Sequence, residues 1–573
     1  MKLTGLLLSP FLLSQLCSAI PTAQSEPCDD ADGNKLGAVA SESKECSEVG
    51  AQILKKGGNA ADSMVATVLC VGVIGMYHSG IGGGGFMLVR SKNGSYEFID
   101  FRETAPAAAF QDMYNNNNTD ASLYGGLASG VPGELRGLQH LHENYGKLPW
   151  KDLVLPSVKI ARDGFVVGKD LVKYMDSAVA SAEDVVGNFL VDDPNWAIDF
   201  APNGTRLGLG DTITRKRYAA TLETIAEHGP DAFYSGPIAQ TWINHTRATG
   251  GNMTLEDLKN YTVAIRKPAS ITYRDFNIHS CSAPSSGTIA MSIMKIIEGY
   301  KNIGWASAVN ESTHIFNEAL RFGYGQRANL GDPLFVEGLD QYQEEILSEA
   351  VVSEVQAKIS PLQTFNTSYY DPSGLESLET PGTSAVTTAD ADGLAIALTS
   401  TINLLFGSKV LIPETGIIAN NEMNDFSVPG QSNAFGFIAS PANYVAPGKR
   451  PLSSITPTIV EHSNGTLYFV TAAAGGSRIL TATVQNLWNV LDKNATSAES
   501  LAAPRLHDQL VPNQVSFEYA YDNQTVAYLA SLGSNVTWVA PGGSSAQCLR
   551  RLSNGTFEAA GEPRQFDSGG VVV

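Results

Sequence analysis

The stretch "ETPGTSAVTTAD", residues 379–390, holds five hydroxyl side chains within twelve residues. Pro381 and Gly382 interrupt the chain immediately before Thr383, which opens a Thr-rich run. Because Thr is common in strands and Pro-Gly is common in turns, the pattern alone favours a loop that enters a strand. The alternative is that one of these hydroxyl groups is a nucleophile, and the surrounding sequence has to decide between the two interpretations.

The segment that begins at Thr383 forms one half of a predicted hairpin. The runs "SAVTTAD" and "LAIALTST" flank Ala391-Asp392-Gly393, and a three-residue loop with Gly in its third position is a common hairpin connection. Pairing across this loop places Thr383 opposite Thr401, and Asn403 follows two residues later on the same face. The predicted hairpin therefore brings two threonine hydroxyl groups side by side.

A second hairpin is predicted around Asn464-Gly465, which separates "LSSITPTIVEH" from "TLYFVTAAAGG". Pairing across this turn places Ser454 opposite Gly475 and Ser453 opposite Gly476. The run "SRILTATVQNLWNVLD" that follows has helical periodicity, and free backbone N–H groups at a helix start suit an anion or an oxyanion. A Gly-rich turn between a strand and a helix, without a chemical role, is the alternative.

The run "NNEMNDF" contains two carboxylates, Glu422 and Asp425, separated by three positions. On a helical turn both side chains project from one side. Such a pair suits the ammonium group of a substrate, and a solvated acidic turn is the alternative.

Composition and charge restrict the class of protein. The chain has 573 residues, of which 43% are hydrophobic and 17% are charged, as in ordinary globular proteins. A net charge of −20 argues against nucleic acid as a partner. The N-terminal run "MKLTGLLLSPFLLSQLCSA" has the pattern of a signal peptide, residues 1–19. Its apolar part is shorter than the about 20 residues that span a bilayer, so secretion is expected and a signal-anchored form at the cell surface is less favoured.

Glycosylation sequons support the expectation of a secreted protein, since Asn-x-Ser/Thr recurs throughout the chain. The predicted sites are Asn93, Asn117, Asn203, Asn244, Asn252, Asn260, Asn310, Asn366, Asn464, Asn494, Asn523, Asn535 and Asn554.

Cysteine usage predicts one disulfide and no zinc site. Helices are expected at 43–56 and 59–77, and in a helical hairpin Cys46 and Cys70 lie equally far from the turn near residue 58. They are therefore the predicted bridge, whereas the pairing of Cys28, Cys281 and Cys548 stays open. The sequence has no CxxC, no His/Cys cluster and no HExxH spacing, so no metal is expected.

The run "GIGGGGF", residues 80–86, contains G-x-G-x-x-G but does not predict a dinucleotide site. That fingerprint needs a strand before the glycines and a helix after them, and here a helix precedes and predicted strands follow. Those strands, "FMLVRSK" and "SYEFIDF", flank Asn93-Gly94. Another strand is expected at 270–280, and the remaining helices at 134–145, 151–162, 217–228, 286–300, 306–326, 339–357, 477–491 and 498–502.

Several segments, in order along most of the chain, together resemble the γ-glutamyltransferase family, also called glutathione hydrolases. They include "GIGGGGFMLV", "DFRETAPAAA", "STINLLFGSKV", "NNEMNDFS", "GKRPLSSITPTIV" and "AAAGGSRI". The resemblance implies an α+β fold, a four-layer αββα sandwich of the N-terminal-nucleophile hydrolase type. It also implies self-cleavage between Gly382 and Thr383, which yields a large subunit, residues 20–382, and a small catalytic subunit, residues 383–573, held together as a heterodimer.

The resemblance assigns roles to residues of this chain. Thr383 is expected as the nucleophile, with Thr401 orienting it and the backbone of Gly475 and Gly476 forming the oxyanion hole. Substrate-binding residues are expected at Arg102, Ser453 and Ser454 for the α-carboxylate and at Asn403, Glu422 and Asp425 for the α-ammonium. The implied substrates are glutathione and other γ-glutamyl compounds, with water, amino acids or dipeptides as acceptors and without a metal or organic cofactor.

One position departs from the family pattern. Family members usually carry His two residues after the nucleophile, and this chain has Ala385 there. The departure bears on the rate of self-cleavage and on the preferred acceptor. Two alternatives to the γ-glutamyl enzyme remain, an acylase of the same fold that acts on another amide and a secreted glycoprotein that has lost catalysis.

Overall fold

Strands form the centre of the structure, a computed structural model that describes residues 35–115, 118–375, 382–430 and 439–573. The strands are β1 (Gly37–Ser41), β2 (Gly84–Arg90), β3 (Tyr96–Asp100), β4 (Phe165–Val166), β5 (Thr212–Ile213), β6 (Ala264–Arg266), β7 (Ala269–Tyr273), β8 (Phe276–Ser280), β9 (Thr383–Asp390), β10 (Ala395–Thr401), β11 (Thr458–His462), β12 (Leu467–Ala474), β13 (Leu506–His507), β14 (Val515–Glu518), β15 (Val536–Val539), β16 (Ser545–Arg551), β17 (Phe557–Ala560) and β18 (Gly569–Val572).

Helices occupy most of the remaining length. They are α1 (Lys44–Lys55), α2 (Ala60–Ile74), α3 (Glu134–Tyr145), α4 (Trp150–Asp163), α5 (Lys169–Val186), α6 (Phe189–Asp192), α7 (Pro194–Phe200), α8 (Lys216–His228), α9 (Asp231–Tyr234), α10 (Gly236–Ala248), α11 (Leu255–Asn260), α12 (Gly287–Glu298), α13 (Val309–Arg327), α14 (Leu339–Ile346), α15 (Glu349–Lys358), α16 (Thr367–Tyr370), α17 (Arg478–Leu491), α18 (Ser497–Ala502) and α19 (Asn523–Ser531). Short 3-10 turns lie at Thr119–Ser122, Gly126–Ala128, Ala306–Ala308, Glu422–Asp425 and Pro441–Asn443.

Two antiparallel sheets carry the fold. One has seven strands in the order β18-β1-β9-β10-β2-β3-β6, and the other has six strands in the order β17-β16-β12-β11-β8-β7. Strands β9 and β10 pack against β12 and β16 of the other sheet. Strands β13, β14 and β15 form a third, smaller sheet, and β4 and β5 form a fourth.

Alternation along β9 and β10 divides the side chains between two cores, as the period of two in a strand requires. Val386 and Leu398 pack with the apolar side chains of α2 in one core. Ala385 and Ala397 lie in the second core with residues of β12, α12, α13 and α17. The order of layers is therefore helix, sheet, sheet, helix, and the predicted αββα sandwich is confirmed.

Helices α1 and α2 form the predicted helical hairpin. The side chain of Ser43 caps α1, and Asn59 forms a capping box at the start of α2. The structure contains the predicted disulfide between Cys46 and Cys70, whose Cα atoms are 5.4 Å apart. Cys281 and Cys548 are buried thiols, and Cys28 lies outside the described residues.

Two predicted elements are divided in the structure. The helix expected at 339–357 is two helices, α14 and α15, because Ser348 leaves the helical conformation and its side chain accepts a hydrogen bond at the start of α15. The strand expected at 270–280 is a hairpin of β7 and β8, which reverses direction at Arg274, where φ is 50°. The alternating pattern continues on both sides of this tight turn, so the sequence hides the reversal. Helix α5 and strands β1 and β18 were not predicted.

The Gly-rich run at 80–86 leads into strand β2, as predicted, and not into the helix that a dinucleotide-binding fingerprint requires. A Cβ atom on Gly82 would lie 2.1 Å from the carbonyl oxygen of Ile418, and one on Gly83 would lie 2.0 Å from that of Thr401. These glycines let the backbone approach the ends of the site loops closely.

The two predicted subunits share both sheets. Strand β1, from the predicted large subunit, pairs with β9 and β18 of the predicted small subunit. Strand β8 pairs with β11 in the other sheet, again across the predicted boundary. None of the helices in the described residues has the length and apolar character needed to cross a membrane. The predicted signal peptide, residues 1–19, falls outside the described residues.

Candidate active site

The hairpin of β9 and β10 ends with the two threonines that the sequence paired. Thr383 is the register partner of Thr401, so the predicted pairing is confirmed. Both side chains are buried, with 4% and 3% of their surface exposed. The hydroxyl of Thr401 donates a hydrogen bond of 2.8 Å to the carbonyl oxygen of Gly382 and accepts one of 2.7 Å from the backbone N–H of Asn403. The peptide bond before Thr383 is therefore held by its carbonyl oxygen.

Gly382 occupies a place that no other residue fits. Its φ is 155°, and a Cβ atom would lie 1.7 Å from the carbonyl oxygen of Asn403. Asn403 itself has a φ of 70°, a left-handed conformation that Asn tolerates better than most residues. The strand ends at Thr401, so the expectation that Asn403 continues the same strand face is wrong. The chain instead turns at Asn403, and this turn packs on Gly382.

Arg102 joins the two carboxylates that the sequence singled out. One guanidinium nitrogen lies 2.5 Å from Glu422 and another lies 2.5 Å from Asp425, and all three side chains are buried. Glu422 and Asp425 delimit a 3-10 turn, which places both carboxylates on one side as predicted. Sequence reasoning described Arg102 and the acidic pair as separate groups, whereas the structure brings them together in one ion-pair network.

A third buried acid, Glu103, follows Arg102 in the chain and was not predicted. Burial raises the pKa of Glu103 to about 8, although Arg102 opposes this shift. Burial also raises the pKa of Glu422, against the attraction of Arg102 and with added repulsion from Glu103. Neither oxygen of Glu103 has a hydrogen-bond partner in the described chain, and neither does Oε2 of Glu422. Within the described residues, Glu103 and Glu422 thus keep buried carboxyl oxygens that have no hydrogen-bond donor.

Three asparagines hold the site loops together, and sequence reasoning missed all three roles. Asn420 accepts a hydrogen bond from the N–H of Glu422 and donates to the carbonyl oxygens of Gly82 and Gly130. Asn421 accepts one from the side chain of Asn403, at its carbonyl oxygen. Asn443 donates to the carbonyl oxygen of Asp425 and accepts from the N–H of Leu452. The adjacent "NN" before the acidic turn was the available signal for the first two.

Ser453 and Ser454 lie outside the strand that was predicted to hold them. Strand β11 begins at Thr458, where it pairs with Thr471, so the ladder stops before either serine reaches Gly475 or Gly476. Ser453 donates its N–H to the carbonyl oxygen of Pro284 instead. Ser454 is fully buried, and its hydroxyl has no hydrogen-bond partner in the part of the chain that the structure describes.

A cavity of ≈ 80 Å³ adjoins the Gly382–Thr383 bond. Its wall includes Gly382, Thr383 and Gly475 together with His78, Tyr174 and Gln565. Gly475 and Gly476 precede helix α17, and their φ angles of 123° and 61° are values that favour glycine. The structure thus brings Gly475 and Thr383 to one space, as the predicted oxyanion role requires.

The remaining predicted sites are on the surface. Most of the sequon asparagines in the described ranges are exposed, and Asn252 and Asn310 are half-buried, whereas Asn117 falls outside those ranges. Within the described residues, no group of three or more His, Cys, Asp or Glu side chains has an arrangement that could hold a metal ion.

Comparison with known proteins gives concordant matches. The model of the gamma-glutamyltranspeptidase family matches residues 46–572. A glutathione hydrolase proenzyme of Arthroderma benhamiae is 54% identical over 580 residues, covering 99% of this chain and 98% of the relative. A glutathione hydrolase of Aspergillus flavus is 51% identical over 540 residues, covering 94% of this chain and 90% of the relative.

Among solved structures, cephalosporin acylase from Bacillus halodurans covers 98% of this chain and 99% of its own, with a TM-score of 0.82. Its sequence identity of 24% supports a shared fold and nothing finer. The family match spans nearly the whole described fold and includes every residue of the candidate site. The chain therefore belongs to the gamma-glutamyltranspeptidase family.

Proposed function

We propose that this protein is a secreted γ-glutamyl hydrolase and transpeptidase that matures by cutting itself between Gly382 and Thr383. Its substrates are glutathione and related γ-glutamyl compounds, and its acceptors are water, amino acids or dipeptides. The observation that carries the proposal is the hydrogen bond of 2.8 Å from the Thr401 hydroxyl to the carbonyl oxygen of Gly382. That contact polarises the bond whose cleavage would free Thr383.

The geometry before Thr383 supports self-cleavage. Attack of the Thr383 hydroxyl on the carbonyl carbon of Gly382 would place negative charge on the oxygen that Thr401 already contacts. The N–H of Asn403 donates to the Thr401 hydroxyl, which orients the hydroxyl proton toward that oxygen. The crowded glycine backbone leaves room for the attack because Gly382 has no Cβ.

Cleavage would then supply the base for catalysis. A threonine hydroxyl is a weak nucleophile and needs a group that takes its proton. The freed α-amino group of Thr383 has a reference pKa near 8 and can act in this role, whereas the amide nitrogen of the uncut chain cannot. The hydroxyl oxygen would attack the γ-amide carbon of the substrate, with the N–H groups of Gly475 and Gly476 stabilising the tetrahedral oxyanion. A γ-glutamyl ester of Thr383 results, and the acceptor resolves it.

Unsatisfied buried acceptors support an amino acid as the bound group. The buried carboxyl groups of Glu422 and Asp425 both contact the guanidinium of Arg102, and the buried Glu103 follows Arg102 in the chain. An ammonium group brings a positive charge and three N–H donors. One of these would donate a hydrogen bond to Oε2 of Glu422, which has no hydrogen-bond partner in the described residues. The α-carboxylate of the substrate would then bind beside Arg102 and the buried hydroxyl of Ser454. A γ-glutamyl zwitterion thus inserts into an ion-pair network that is already assembled.

The finer assignment follows the relatives. The relatives at 54% and 51% identity are both named as glutathione hydrolases, and one of them as a proenzyme, which fits a self-processed enzyme. Secretion rests on the signal-peptide pattern of residues 1–19 and on the exposed sequon asparagines. The shared sheets explain how residues 20–382 and 383–573 would remain a heterodimer after the cut.

A pair of anilide substrates tests the proposal against its two alternatives. The enzyme should hydrolyse a γ-glutamyl anilide and reject a glutaryl anilide, since the acceptors of the acidic pair stay unpaired when the α-amino group is missing. Equal rates with both anilides would favour an acylase that does not recognise the α-amino group. A single uncut band on a denaturing gel, with neither anilide cleaved, would favour an inert glycoprotein.

A further inference from the structure

His78 lies in the wall of the cavity beside the Gly382–Thr383 bond, and the chemistry proposed above does not use it. The side chain is buried, and its ring packs edge-on against Tyr77 and Tyr174. Its carbonyl oxygen accepts a hydrogen bond from the N–H of Ile402, one residue after Thr401. The imidazole is thus fixed to the same backbone that carries the threonine pair.

A buried carboxylate orients this imidazole. Oε2 of Glu42 lies 2.7 Å from Nδ1 of His78, and Glu42 is 2% exposed. Gln565, which also lines the cavity, donates to the same carboxylate oxygen at 3.3 Å. A Cβ atom on Gly75 would lie 2.4 Å from the other carboxylate oxygen, so the Glu42 carboxylate packs closely against the backbone at Gly75. A carboxylate at Nδ1 leaves Nε2 as the proton-accepting nitrogen.

Self-cleavage needs a base that the uncut chain does not carry on Thr383. Until the bond before Thr383 breaks, its nitrogen is an amide and cannot take a proton. Ala385, where the family usually has His, is a methyl group in the apolar core between the sheets and supplies none. The described cavity wall has two other ionisable side chains besides His78. Burial raises the pKa of Tyr174 and keeps its phenol protonated, and the Arg564 guanidinium is paired with Glu518 and Glu562, so His78 is the side chain that can accept a proton.

We propose that His78, positioned by Glu42, is the proton acceptor for self-cleavage at Gly382–Thr383. This inference rests on the processing step of the proposed function. The Thr383 hydroxyl gives its proton to Nε2 of His78, directly or through a water, as its oxygen bonds to the carbonyl carbon of Gly382. The imidazolium then returns that proton to the Thr383 nitrogen as the C–N bond breaks, which leaves an ester and a free amine. Water hydrolyses the ester to the Gly382 carboxylate and the Thr383 hydroxyl.

The cavity has room for the water that this route uses. A cavity needs about 10–15 Å³ to hold one water molecule, and this cavity measures ≈ 80 Å³. Thr383, Tyr174 and Gln565 line the cavity, and each is a residue whose side chain can form a hydrogen bond with water. Once the chain is cut, the α-amino group of Thr383 replaces the imidazole as base, so His78 matters for maturation more than for turnover.

Pulse-labelled full-length protein tests the proposal through the half-life of the uncut chain on denaturing gels. Loss of a general base costs roughly 10²–10⁴-fold in rate, so His78→Gln should lengthen the half-life at least tenfold. Glu42→Gln should lengthen it less, because the imidazole remains. His314→Gln is the matched control, since His314 is also buried, and its ring is hydrogen-bonded to the carbonyl oxygen of Ser360, which does not line the cavity. Its half-life should equal that of the wild type.

Added imidazole separates a chemical role from a structural one. His78→Ala leaves a hole beside the cavity, and imidazole should restore its cleavage in proportion to concentration. Cleavage of His78→Gln at the wild-type rate, or no response of slow His78→Ala to imidazole, overturns the proposal. If the His78 variants do not fold, an unchanged half-life in Glu42→Gln overturns it and a longer one supports it. A wild-type chain that is never cut at Gly382 would instead refute the proposed function itself.

Discussion

The threonine hairpin, residues 383–401, and the serine segment, residues 451–457, were both predicted by the same turn-and-pairing rule, but only the hairpin has the predicted pairing throughout. In the threonine hairpin the pairing runs to its last residue, Thr383 opposite Thr401. Next to the serine segment the same rule gives the correct register but the ladder ends at Thr458 opposite Thr471. Ser453 and Ser454 are left beyond the end of the strand.

The difference comes from a competing partner for the backbone. The turn at 282–286 receives the N–H of Ser453 at Pro284, and its Ser286 donates to the carbonyl oxygens of Ser453 and Ile455. Each of these bonds satisfies a backbone group that a strand ladder would otherwise have paired. A turn therefore fixes register locally, whereas distant segments decide where a strand stops. The two serines that are proposed to bind the substrate carboxylate are placed by that distant contact.

Removing the proposed nucleophile, Thr383, should have the largest effect of any change in the hairpin. Thr383→Ala should remain a single uncut chain and lose activity by at least ~10⁴-fold in kcat, because both the attacking oxygen and the freed amine disappear. A denaturing gel and an anilide assay check the two effects together. Full activity in an uncut Thr383→Ala protein would show that the hairpin takes no part in catalysis.

Asp425→Ala tests the ion-pair network that Asn443 ties to the serine segment. A buried hydrogen bond to a charged group contributes about 1.5–3 kcal/mol, so kcat/KM for a γ-glutamyl anilide should fall at least about tenfold. The preference for the γ-glutamyl anilide over a glutaryl anilide should become smaller, since the proposed role of the lost carboxylate is to bind the α-amino group. Arg102→Lys, which keeps the charge but loses the planar fork, should raise KM with processing intact. If Asp425→Ala kept the wild-type preference for the γ-glutamyl anilide, the substrate ammonium would not bind at Asp425.

Two adjacent serines sharpen the comparison further. The hydroxyl of Ser454 has no partner in the described chain, so Ser454→Ala should cost no stability yet raise KM about fivefold, the effect of about 1 kcal/mol of binding. The hydroxyl of Ser453 accepts a hydrogen bond of 3.1 Å from the N–H of Ile455, so Ser453→Ala should also lower the unfolding free energy by about 1 kcal/mol. Thermal unfolding and steady-state kinetics on both variants decide this. A stability loss in Ser454→Ala, with KM unchanged, would give that serine a purely structural role.

The disulfide should affect activity least. Cys46 and Cys70 are 24 positions apart, and closing a loop of that length contributes roughly 3 kcal/mol in the chain-entropy estimate. Replacing both by Ala should lower the unfolding free energy by that order while kcat and KM stay within twofold. Peptide mapping without reduction should recover the bridged pair from wild type. Two free thiols at these positions would contradict the assignment.

The hairpin register and the helical hairpin with its disulfide could be predicted from local turn signals and periodicity, whereas the four layers were expected only from the family resemblance. It did not predict that Arg102 pairs with both Glu422 and Asp425, because no local pattern encodes a contact across more than 300 positions. The placement of His78 and Thr383 in the wall of one cavity was missed for the same reason. The bridging role of Asn443 was missed because its partners, Asp425 and Leu452, lie in irregular loops that have no periodic pattern. Strands β1 and β18 were missed because five or fewer residues carry too little periodicity to recognise.

N-terminal sequencing of the purified mature protein tests the central claim most directly. The account predicts two chains, the smaller one beginning Thr-Ser-Ala-Val at Thr383, because the bond held by Thr401 at the carbonyl oxygen of Gly382 is the one that breaks. An active protein that is a single uncut chain, or whose smaller chain begins at any other residue, would contradict it.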